Sequence, residues 1–120
     1  MSAHAQPFLL ATSLILRIKS QMFQIWRNLP DAESQEETGT FTAWIILNKA
    51  AESMLATRCT QLDVPQRERM IGALQLHHKL AHRPEIVGEV VPSIAHCPCE
   101  AARLQRELAL VMAAEIGQVA

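Results

Sequence analysis

Apolar residues recur along this chain in steps of three and four, the spacing that lines up one face of an α-helix. The first such stretch runs from about Pro7 to Leu29. Phe8, Ala11, Ile15, Ile18, Met22, Ile25 and Leu29 form a seam, and Leu9, Leu16, Phe23 and Trp26 widen it. Pro7 suits a first helical turn, where the N–H it lacks has no intrahelical partner. Asn28-Leu29-Pro30 ends the stretch.

Asp31 to Gly39 is acidic and polar. Ser34 and Glu37 have capping-box spacing, which favours a helix start, whereas Gly39 disfavours a helix interior. A secure second helix is expected from Thr40 to about Gln61, with an apolar face of Ala43, Trp44, Leu47, Ala50, Ala51, Met54 and Leu55. The third begins after Asp63, a side chain that caps exposed N–H groups, with Pro65 in its first turn. It runs to about His82 on a stripe of Met70, Leu74, His77 and Ala81, and Pro84 stops it. Glu85 to His96 has no sustained period, because Gly88 and Pro92 interrupt its apolar residues. The last helix is expected to start near Pro98 with Cys97 as N-cap. Its buried stripe is Ala101, Leu104, Leu108, Val111, Met112, Ile116 and Val119. The pattern predicts an all-α, antiparallel four-helix bundle-like domain over residues 1–120, with an irregular segment before the last helix.

Composition narrows the function. With 49% hydrophobic residues, the chain is too apolar to be disordered. Eleven Lys+Arg against 12 Asp+Glu give a net charge of −1, a poor footprint for nucleic acid. A helix-turn-helix would have to bend across Ala56 to Ile71, where the usual small turn residue is missing and Asp63 and Glu68 dilute the charge of Arg58, Arg67 and Arg69. The first 16 residues carry no Lys, Arg, Asp or Glu. No basic segment precedes the apolar run, and Arg17 and Lys19 follow where a small-residue cleavage site would be, so neither a signal peptide nor a membrane span is expected. Three cysteines, an odd number, predict reduced thiols in a cytoplasmic chain.

Four of the five histidines and two of the three cysteines fall between His77 and Cys99. His78 and His82 are four apart, which puts them on one helix face, and Cys97 and Cys99 follow after a segment long enough to fold back. Imidazole nitrogen and thiolate sulfur suit tetrahedral zinc. The spacing departs from the usual pattern, because only Pro98 separates the cysteines where zinc sites place two to four residues. Each residue also has an ordinary structural role: His77 as a hydrogen-bonded core histidine, His82 at a helix C-terminus, and the cysteines as small apolar residues at a helix entrance. A redox pair of Cys97 and Cys99 would carry a strained bridge. No glycine-rich phosphate loop, Gly-x-Ser-x-Gly elbow or His-Glu-x-x-His occurs, so no enzymatic activity is expected.

Two functions follow as expectations. The first is a small non-enzymatic regulator or adaptor without a cofactor. It would pair with a second copy or another protein through Ile15, Ile18, Met22, Phe23 and Trp26. The alternative is a zinc-binding or zinc-sensing protein using His78, His82, Cys97 and Cys99.

Overall fold

Among the described residues, the spacing of apolar residues is realised as four helices: α1 Pro7–Arg27, α2 Thr40–Thr57, α3 Val64–Ala81 and α4 Glu100–Val119. They are seen in a computed structural model that describes residues 6–30, 38–82 and 93–119. No strand occurs among the described residues. The expected capping box of Ser34 and Glu37 and most of the irregular segment before α4 lie outside them. So do the side chains of Ile116 and Val119.

Helix α1 is the centre of the bundle. It packs most extensively on α4 and α2 and also touches α3, while α2 packs on α3; α3 and α4 meet over a small area. Its buried residues Phe8, Ala11, Ile15, Ile18 and Met22 follow the predicted seam, joined by Leu14 and Lys19, which the seam did not include. Leu47 and Met54 of α2, Leu80 of α3 and Leu108 of α4 complete the fully buried core. Burying side chains of this size stabilises the fold by about 1.5–3 kcal/mol each.

This packing divides the set expected to associate with a partner. Ile15, Ile18 and Met22 are wholly buried against the other helices. The seam that reads as surplus apolar face is the one a central helix needs. Phe23 remains exposed and Trp26 half-buried.

Helix ends differ from expectation at three places, the first being α1, which stops at Arg27, two residues short of Leu29. Helix α2 stops at Thr57, four residues early, because Arg58 adopts a left-handed conformation (φ 57°) and its N–H closes on the Met54 carbonyl. Helix α4 starts at Glu100 rather than Pro98, and Cys99 rather than Cys97 caps it: the Ala102 N–H donates to Cys99 Sγ at 3.3 Å. The α3 start is as read, with the Gln66 N–H donating to Asp63 Oδ1 at 2.8 Å. Helix α2 begins at Thr40, with Gly39 as a left-handed N-cap.

Candidate metal centre

The end of α3 and the start of α4 bring four side chains together. His78 and His82 sit one turn apart, and their rings meet edge-to-face with centroids 4.8 Å apart. His82 follows the last helical residue, held by its own N–H on the His78 and Lys79 carbonyls. The turn Ser93 to Cys97 delivers the first thiol: the Cys97 N–H donates to the Ser93 carbonyl at 2.9 Å. Arg106 of α4 fastens that turn, donating to the carbonyls of Ile94 at 2.6 Å and Cys97 at 2.7 Å. Cys99, as the α4 N-cap, delivers the second.

One ligand atom from each of His78, His82, Cys97 and Cys99 lies within 4.8 Å of all the others. His82 Nε2 is 3.1 Å from Cys97 Sγ. Zinc–sulfur bonds of about 2.3 Å and zinc–nitrogen bonds of about 2.0 Å set ligand atoms roughly 3.3–3.8 Å apart in a tetrahedron. No separation therefore exceeds those edges by more than about 1.5 Å. Pro98, which makes the cysteine spacing unusually short, does not prevent this. Cys97 comes from the turn and Cys99 from the helix cap, so both sulfurs still reach the imidazoles.

The residues also fit a cation by their chemistry. His78 is buried, and its Nε2 has no hydrogen-bond partner among the described residues. Such an orphaned polar atom costs about 1–3 kcal/mol, a cost that ligation through that nitrogen would remove. Burial, reinforced by the charge His82 would carry, holds the His78 pKa below the ordinary histidine range. The ring is thus kept neutral, as a metal ligand must be. Burial pushes the Cys99 thiol up against the pull of the Ala102 N–H, and the neighbouring Cys97 sulfur adds to the rise. The Cys97 sulfur thus disfavours the Cys99 thiolate and His82 disfavours a charged His78, whereas a divalent cation would favour the thiolate and the neutral imidazole that ligate it. His78 and Cys97 are buried while His82 and Cys99 are half-buried, which leaves one side of the cluster reachable from solvent.

His77, next in sequence to His78, belongs to a different network. It is fully buried, and its Nε2–H donates to Gln21 Oε1 at 2.6 Å. Gln105 Nε2 donates to His77 Nδ1 and to the Leu74 carbonyl, both at 2.8 Å. Burial, with a smaller contribution from His78, pushes the His77 pKa down to about 4. His77 is the hydrogen-bonded core histidine that its stripe position predicts. His96 is exposed and is not one of the clustered ligands.

A second feature was not legible as a site. Phe23 and Trp26 of α1 face Phe41 and Trp44 of α2 across a groove of about 550 Å³. Among the described residues, no helix is long and apolar enough to cross a membrane. No family model, curated protein or solved structure matches this chain.

Proposed function

We propose that this protein binds one zinc ion through His78, His82, Cys97 and Cys99. The observation that carries the reading is the convergence of four ligand atoms, drawn from the end of α3, the turn before α4 and the α4 cap, within 4.8 Å. Two imidazoles and two thiolates are the donor set of tetrahedral structural zinc, and four protein ligands leave no position for water or substrate. The role is therefore structural or regulatory rather than catalytic. Zinc would tie α3 to α4, the pair that meets over only a small area. Thiolate ligation needs reduced cysteines, which suits a reducing compartment such as the cytoplasm.

Native mass spectrometry of protein purified without chelator tests this. One zinc per chain is expected, released by denaturation. Cys97→Ala and His82→Ala should each abolish stoichiometric binding, while Cys59→Ala, at a half-buried position outside the cluster, should leave it intact. Chains that stay metal-free after incubation with equimolar zinc sink the proposal.

A further inference from the structure

The groove between α1 and α2 is built from helices that hold none of the proposed metal ligands. The chain has only five aromatic residues, and four of them line this one groove. Phe41 is 73% exposed and Phe23 44%, while the Phe23 and Trp26 rings lean together with centroids 5.7 Å apart. Its volume of about 550 Å³ falls in the range of small-molecule sites, roughly 300–1,000 Å³.

One charge lies in its oily wall. Lys19 is 8% exposed, and its Nζ stands 4.1 Å above the Trp44 ring. That nitrogen donates to Asn48 Oδ1 at 2.7 Å, and an ammonium has three N–H groups to give. Asn48 passes the contact on to Glu52 Oε1 at 3.1 Å, so Glu52 meets Lys19 through a neutral amide. Burial lowers the Lys19 pKa, and the charge of Glu52 opposes that fall.

The N-terminus of α2 adds a second source of positive potential. Thr40 and Phe41 line the groove at the first turn of an 18-residue helix. Gly39 supplies no capping side chain, the Thr40 N–H donates to Thr38 Oγ1 at 3.4 Å, and the first turn has no acidic residue. The positive end of the helix dipole favours negative charge there. An uncharged apolar ligand would desolvate both features without answering either, which burial penalises.

We propose that this groove binds a small amphipathic monoanion, an alkyl or aryl carboxylate. Its apolar part lies among Phe23, Trp26, Phe41 and Trp44, and its head group meets Lys19 and the start of α2. This binding is independent of the zinc reading.

The chain has two tryptophans and no tyrosine, and both tryptophans line the groove, so intrinsic fluorescence reports on it directly. The test titrates the full-length, zinc-incubated protein with decanoate below its micellar concentration, and separately with decanol. Decanoate should change the emission saturably and bind at least about tenfold more tightly than decanol, the order of one charge-assisted contact. Lys19→Met should remove that preference while leaving decanol binding in place. Phe41→Asp, a substitution at an exposed rim position, should weaken decanoate about tenfold at unchanged helicity, and it decides the matter if Lys19→Met does not fold. Equal binding of acid and alcohol overturns the proposal, as does the absence of a saturable change. A sedimentation result in which wild type is a dimer and Phe41→Asp a monomer overturns it too, because a second copy then occupies the groove.

Discussion

His77 and His78 are adjacent in sequence but face different surroundings, and the difference has a measurable consequence. His77 is enclosed and neutral, with its pKa down to about 4, while an unfolded chain restores it to about 6.5. The unfolded state therefore takes up a proton that the native state refuses. The contribution to stability is full above about pH 6.5 and is lost as pH falls towards 4, about 3 kcal/mol in all. Urea melts in chelator at pH 7 and pH 4.5 should show this loss in wild type and a smaller one in His77→Gln, which does not titrate. Equal losses in the two proteins contradict the assignment. Position in the sequence distinguishes the two histidines only halfway. The stripe with Met70 and Leu74 marks His77 as core, and the four-residue step marks His78 and His82 as neighbours. That Gln21 and Gln105 reach His77 was not legible, because both come from helices distant in sequence. Lys19 was hidden for a related reason: only the packing of α2 against α1 puts its ammonium over the Trp44 ring.

Helix starts were easier to read than helix ends. Asp63 announces α3 by a side chain that can only serve there, and its bond to the Gln66 N–H bears this out. Asp63→Ala should cost about 1 kcal/mol, seen as a fall in melting temperature of a few degrees. At the other end of the same connection, α2 stops on Arg58 with φ 57°. No glycine marks this end, so sequence reading carries the helix on to Gln61. The Arg58 and Cys59 N–H groups both turn back to the Met54 carbonyl and define it. Arg58→Gly should stabilise the protein by about 0.5–1 kcal/mol, since a left-handed backbone costs a side-chain-bearing residue more than glycine. A lowered melting temperature in that variant contradicts this geometry. Cys99 as a cap was hidden for a chemical reason: sulfur is a weak acceptor and is not among the usual capping atoms. Its capping bond is also what orients the thiol towards His78, His82 and Cys97. Arg103 pairs with both Glu100 and Glu107 along the exposed face of α4, which contributes little to stability.

At the scale of the whole molecule, the four-helix bundle followed from periodicity, because a seam of three-and-four spacing has few ways to be buried. The partition of α1 did not. Sequence shows how much apolar face exists, and only packing shows that Ile15, Ile18 and Met22 go inside while Phe23 stays out. The metal proposal acts at this scale, since its ligands join α3 and α4 where helix packing contributes least. Free zinc a thousandfold above its dissociation constant would add about 4 kcal/mol to stability. Chelation should therefore lower the melting temperature by roughly 15 °C in a chain of this length, with no such change in Cys97→Ala. The most direct measurement of the central claim is X-ray absorption at the zinc edge of the loaded full-length protein. The account predicts two sulfur ligands at about 2.3 Å and two nitrogen ligands at about 2.0 Å. A first shell made of oxygen and nitrogen alone, unchanged in Cys97→Ala, would contradict it.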